Sequence, residues 1–197
     1  MSTPLAEART PSQLARRGRI LASAQQLLLE REYEQIQVRE VAEHAGVALG
    51  TLYRYFPSKE LLYAHALLAW ADAFEAKVQP RTQGPAGDAE RLRAALRGAA
   101  RAYERAPGFF RLLTVLEATT EPGVREVFAT FSDRFVAALR NAVRDVAPDD
   151  AAAIAFLSAS VLGSSLRRWA QHGEPLRSVY DRIDATVDLV FGSPRPR

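Results

Sequence analysis

Apolar positions in this chain recur three and four residues apart, which predicts an all-α protein of about nine helices. Thr10-Pro11-Ser12-Gln13 opens the first: Thr10 caps, Pro11 suits the first helical position, and Gln13 completes a capping box. Ile20, Ala24, Leu27 and Leu28 then mark one face as far as about Arg31, and Gly18 weakens the opening turns. Two short helices follow within residues 38–56. Pro57-Ser58 ends the second of them, with Ser58 placed to cap a long helix from Lys59 to about Val78. Gln79 to Asp88 reads as a loop. Five more helices are expected near 88–105, 107–118, 122–146, 149–172 and 176–191, broken at Pro107-Gly108, Pro122-Gly123, Pro148 and Gly173. The tail from Ser193 to Arg197 has a disordered composition.

Residues 38–56 carry the chemistry. Ala42 lies four positions before Gly46, and Leu52 six after it. Two helices crossing steeply through a short turn need a small residue where their backbones touch, which Ala42 supplies. Gly46 reaches the left-handed conformation that reverses the chain. Val41, Val47 and Leu52 close a small apolar core beneath the corner, and the next helix projects Thr51, Tyr53, Arg54 and Tyr55 outward. That is a helix-turn-helix, whose second helix enters the major groove of DNA while the first braces on the backbone. An ordinary helical hairpin shares the Ala-x-x-x-Gly spacing but has no need of a polar face after the glycine.

The run Gly50-Thr51-Leu52-Tyr53-Arg54-Tyr55-Phe56-Pro57-Ser58-Lys59-Glu60-Leu61-Leu62 resembles the signature of the TetR family of bacterial repressors, with Gly46-Val47, Leu52-Tyr53, Phe56, Lys59 and Leu62 as its main matches. The likeness covers about residues 15–65. Ala48 stands where many members carry a capping Ser, and Gln37 where a Thr often caps the preceding helix. The resemblance implies a DNA-binding part at 1–58, with an effector-binding and dimerisation part at 59–197. It also implies the roles of the motif. Arg54, Tyr53, Thr51 and Tyr55 contact bases or nearby phosphates, with Arg54 the choice for bidentate pairing to guanine. Leu49 touches a thymine methyl, Gly50 allows close approach, and Gln37 and Arg39 meet the backbone. Lys59, beside the free N–H groups of a helix start, clamps phosphate. Tyr53 has a second reading, with its ring in the core and only its hydroxyl on phosphate.

Composition narrows the classes. The chain has 197 residues, 48% hydrophobic and 25% charged, enough for a sizeable globular core. It has no cysteine, so a disulfide framework and Cys-based zinc or nucleophile sites are excluded. No apolar run approaches a membrane span and no signal-peptide segment is present, so a cytoplasmic protein without membrane association is expected. The net charge of +3 fits a nucleic-acid partner without requiring one. Arg9, Arg16, Arg17 and Arg19 cluster ahead of the motif, as a phosphate-binding arm or a solvated leader. His44, His65 and His172 sit far apart in sequence and form no metal or catalytic spacing; His44 reads as a surface residue, and no cofactor is expected.

The remaining two-thirds must do more than read DNA. The stretch 150–163 is dense in small residues, and Val179, Ile183, Val187 and Val190 share a face of the last helix. These are expected to build a two-fold dimer interface, which places two reading heads on a palindromic operator; packing inside the subunit is the alternative. Trp70, Phe74, Phe110, Leu113, Phe128, Phe131 and Phe135 have inward helical spacing, and the resemblance to the TetR family implies that they line a pocket for a small apolar effector, lipid- or steroid-like. Glu117, Ser158 and Trp169 are its candidate polar groups. Plain core packing competes at each position. The function so predicted is a ligand-responsive repressor; the rivals are a carrier or enzyme with an incidental helix-turn-helix, and an architectural DNA-binding protein.

Overall fold

The computed structural model describes residues 10–82 and 87–192, with backbone only for 73–82. Arg9, the Phe74 side chain and the tail from Ser193 lie outside the described residues. The described chain is all-α. Its helices are α1 Pro11–Glu30, α2 Val38–His44, α3 Leu49–Tyr55, α4 Lys59–Thr82, α5 Asp88–Arg105, α6 Pro107–Glu117, α7 Pro122–Ala142, α8 Pro148–His172 and α9 Arg177–Phe191, with a 3-10 turn at Tyr33–Gln35. Helix α4 runs four residues beyond its expected end, through Pro80.

Two compact units divide the chain. The first contains the described residues up to Ala71 together with Arg111–Phe128; the second contains Asp72–Phe110 and the chain from Ala129. Three helices, α4, α6 and α7, have residues in both.

The first unit starts from a well-capped α1. Gln13 N–H donates to Thr10 Oγ1 at 3.2 Å, and Thr10 N–H to Gln13 Oε1 at 3.0 Å, the reciprocal arrangement expected of this sequence. Ile20, Ala24, Leu28, Val41, Leu52, Phe56, Leu62 and Tyr63 are buried. At roughly 1.5–3 kcal/mol for each fully buried large apolar side chain, this core is the main force holding the short α2 and α3 in place. Gln25 Nε2 donates to the Ala66 carbonyl at 2.9 Å, tying α1 to α4.

In the second unit α5 and α8 pack on each other and on α9. Leu92, Leu96, Ala99, Ala100 and Tyr103 form the buried face of α5, and Ala151, Ala155, Leu162 and Leu166 that of α8. Arg93 bonds Asp188 at 2.6 Å and lies 3.3 Å from Asp184, which also pairs with Arg97, so charged contacts frame the α5–α9 seam. Val179, Ile183 and Val187, expected to face a partner chain, are instead buried in this unit's own core. The large apolar side chains that α8 leaves exposed are Phe156 at 64% and Leu157 at 55%.

Helix α7 was expected to reach residue 146 and stops at Ala142. The buried Asp88 explains the early end. Its carboxylate accepts the N–H groups of Arg144 and Asp145, each at 2.8 Å, and Arg91 Nε donates to the Ala142 carbonyl at 2.9 Å. Those groups would otherwise extend the helical ladder.

Candidate nucleic-acid interface

The corner between α2 and α3 is built by backbone hydrogen bonds that require a glycine. Gly46 has φ +65°, its N–H donates to the Glu43 carbonyl at 3.1 Å, and Val47 N–H donates to Ala42 at 3.0 Å. This is a Schellman ending, which satisfies the last carbonyls of α2 and turns the chain into α3. Ala42, Val41 and Leu52 are buried beneath it, and Val47 is half-buried.

The two helix starts differ in quality. Ala48 gives α3 no side-chain cap, leaving only the backbone bonds from Thr51 and Leu52 N–H to its carbonyl. At α2 the absent Thr is partly compensated: Glu40 Oε2 accepts the Gln37 N–H at 2.8 Å while Glu40 Oε1 meets Arg31 at 2.9 Å. These two contacts, the Gln37 N–H first and Arg31 second, hold the Glu40 carboxyl below the usual range. His44 is exposed as expected, yet its Nδ1 lies 3.0 Å from the Oγ of the buried Ser23, which fastens the end of α2 to α1.

Helix α3 presents most of its expected face. Leu49 is 38% exposed, Tyr53 43%, and Gly50 and Arg54 are exposed; Thr51 and Tyr55 are half-buried. The Tyr53 ring therefore stands outside the core. Among the described residues nothing lies within 4 Å of a Cβ built on Gly50, so none of them demands glycine there. Gln37 and Arg39 are exposed at the start of α2, with Arg39 3.7 Å from Glu43.

Lys59 is different. Its Nζ donates to the Tyr33 carbonyl at 2.6 Å and sits 4.2 Å from the Tyr33 ring centroid. Burial pulls its pKa below the ordinary lysine value, against the opposing effect of Glu34, Glu60 and Glu40. The cation at this helix start thus has an internal acceptor and needs no phosphate to account for it. The Leu61 N–H is also taken, by Ser58 Oγ at 3.0 Å.

Arg17 of the basic cluster turns inward. Its guanidinium lies 5.3 Å from the Phe56 ring centroid, and Nη2 is 3.0 Å from His65 Nδ1 on α4. His65 must then be neutral with Nδ1 as acceptor. Burial first, and the Arg17 charge second, push its pKa down to about 4.

Residues 20–66 match the family of bacterial regulatory proteins, tetR family. Over 194 residues, 94% of this chain and 88% of the relative, the sequence is 36% identical to the HTH-type transcriptional repressor KstR of Rhodococcus jostii strain RHA1. The chain belongs to the TetR family. The fold agrees: a TetR transcriptional regulator from Rhodococcus sp. RHA1 superposes with TM-score 0.78 at 22% identity, covering 93% of this chain and all of that one. The transcriptional regulator FadR from Bacillus subtilis, solved in complex with stearoyl-CoA, superposes with TM-score 0.68 at 15% identity over 90% of this chain and 99% of that one. As a TetR-family member the chain is a transcriptional regulator with a helix-turn-helix, and not an enzyme.

The residues expected to hold an effector fall in both units of this TetR-family chain. In the first, Trp70, Leu113 and Phe128 are half-buried, and Glu117 is exposed in the last turn of α6. In the second, Phe131 is buried, Phe135 and Trp169 are half-buried, and Phe110 is buried with its ring edge-on to Tyr103 at 5.5 Å. Ser158 is 1% exposed, and its Oγ finds no hydrogen-bond partner among the described residues. A buried hydroxyl without a partner costs free energy unless something else meets it. Sequence had no signal for the long-range positioning pairs, Ser23–His44, Arg17–His65 and Ser58–Glu121, since each joins side chains distant in sequence.

Proposed function

We propose that this chain is a transcriptional repressor that binds a palindromic DNA operator as a homodimer and is released by a small apolar effector held in its C-terminal helices. The observation that carries the reading is the exposed face of α3, from Leu49 to Arg54, on a chain 36% identical to a repressor along nearly its whole length. On this reading Arg54 pairs with a guanine, Leu49 touches a thymine methyl, and Tyr53, Tyr55, Gln37 and Arg39 serve bases or phosphates nearby. Two copies joined through the exposed side of α8, where Phe156 and Leu157 stand beside small residues, present two such faces. Two half-sites one DNA turn apart then follow.

A lipid-like effector is supported by the buried Phe110 and Phe131 and by the free hydroxyl of Ser158 in the second unit. The stearoyl-CoA in the FadR structure is a precedent on the same fold. Helix α4, continuous from Lys59 to Thr82, is the element suited to carry the signal. The effector must prefer the low-affinity arrangement, and a coupling of about 1–3 kcal/mol is the usual scale. A gel-shift titration of the bound operator with fatty acyl thioesters and steroids tests this. Release by one of them at saturating concentration supports the reading, and complexes that resist the whole panel contradict it.

A further inference from the structure

The recognition helix contains a contact that sets the aim of its own arginine. Arg54 Nη2 donates to Thr51 Oγ1 at 3.3 Å, one turn back along the same face of α3. Arg54 is exposed, and among the described residues no carboxylate meets its guanidinium, whereas Arg31, Arg39, Arg97 and Arg111 each have one. Among the described residues, the Thr51 hydroxyl is the group that the Arg54 guanidinium bonds. Thr51 is the third residue of α3, whose N-cap is Ala48, so its hydroxyl does not stand at the cap position.

We propose that Thr51 is a positioning residue: its hydroxyl holds the Arg54 guanidinium in the orientation that reads a base, and does not itself touch the operator. The inference rests on Arg54 as the direct reader. A free arginine samples many rotamers and loses that freedom on binding. One hydrogen bond from Nη2 leaves the rest of the donor fork available for the O6 and N7 acceptors of guanine. Holding the fork in advance favours the base that matches it over bases that do not, so the effect appears as specificity at one base pair.

The test is selection from a DNA pool randomised across the operator, using the full-length wild type, Thr51→Val, Thr51→Ser and Arg54→Ala. Valine keeps the branched shape and removes the hydroxyl; serine restores the hydroxyl. Thr51→Val is expected to weaken the preference at the base pair read by Arg54 by about threefold to tenfold, the range a net hydrogen bond supplies. Thr51→Ser should keep that preference, and Arg54→Ala should abolish it. Full preference at that base pair in Thr51→Val overturns the proposal, and so does loss at a different base pair, which makes Thr51 a reader in its own right. An unaltered preference in Arg54→Ala defeats the arginine reading itself. Undiminished affinity of Thr51→Val for random DNA shows that α3 remains folded; equal loss on every sequence assigns Thr51 to the fold and refutes the positioning role.

Discussion

Ser58 donates its hydroxyl hydrogen to the Glu121 carboxylate, whose oxygens lie 2.9 and 3.0 Å away, while accepting the Leu61 N–H at 3.0 Å. One side chain therefore caps α4 immediately after the recognition helix and binds it to the start of α7. Glu121 also places a negative charge at the positive end of the α4 dipole. Ser58→Ala removes the cap and the link together and should cost about 1 kcal/mol of stability. Glu121→Ala keeps the cap and should cost less. Urea unfolding of both variants measures the difference, and equal losses would show that the link to Glu121 carries the whole effect.

The corner glycine gives a second test. A Cβ on Gly46 meets nothing within 4 Å among the described residues, but the backbone sits at φ +65°. Gly46→Ala should therefore destabilise by roughly 1–2 kcal/mol through conformation alone, without a clash. Chemical denaturation of this variant beside Ala48→Ser, which adds the missing cap and should stabilise by about 0.5–1 kcal/mol, compares the two ends of one turn.

Asp88 predicts a response to acid. Burial alone would raise its carboxyl pKa, but the N–H groups of Arg144 and Asp145 and the Arg91 guanidinium together hold it below the usual range. The stability it contributes is complete above the unfolded carboxyl pKa of about 3.9 and is lost as pH falls through the lower folded value. Asp88→Ala removes the buried carboxylate that pairs with the buried Arg91 and should cost about 3 kcal/mol at neutral pH. Thermal unfolding at neutral pH and in acid checks both statements.

His65 acts in a different window. Its folded pKa of about 4 lies below the unfolded value of about 6.5, so on acidification the unfolded chain gains a proton before the folded one. Stability should decline as pH falls from about 6.5 and level off below about 4. His65→Gln retains an acceptor for Arg17 and should remove that slope. Unfolding midpoints between pH 7 and 4 would show a parallel decline in both proteins if His65 were not responsible.

Much of the architecture could be read from the sequence because its signals are local. The Thr10–Gln13 capping box, the Gly46 reversal and the proline breaks each act within a few residues. Two features could not be read that way. The early end of α7 depends on Asp88 and Arg91, far back in the chain, and the buried face of α9 looks the same in sequence whether it packs on its own subunit or on a partner. On α3, sequence identified Tyr53 and Arg54 as outward-facing, while Thr51 and Tyr55, expected on the same face, are half-buried. It missed the internal use of Lys59 and Arg17, because an acceptor such as the Tyr33 carbonyl leaves no mark in the side-chain pattern.

On the function proposed above, the exposed face of α3 reads one palindromic operator. Sequencing the genomic fragments captured by the purified full-length protein, beside its Arg54→Ala variant, tests it most directly. Wild type should enrich one palindrome with half-sites about one helical turn apart, and Arg54→Ala should lose preference at a symmetric pair of guanines. Capture without any shared sequence, or the same motif from both proteins, would contradict the account.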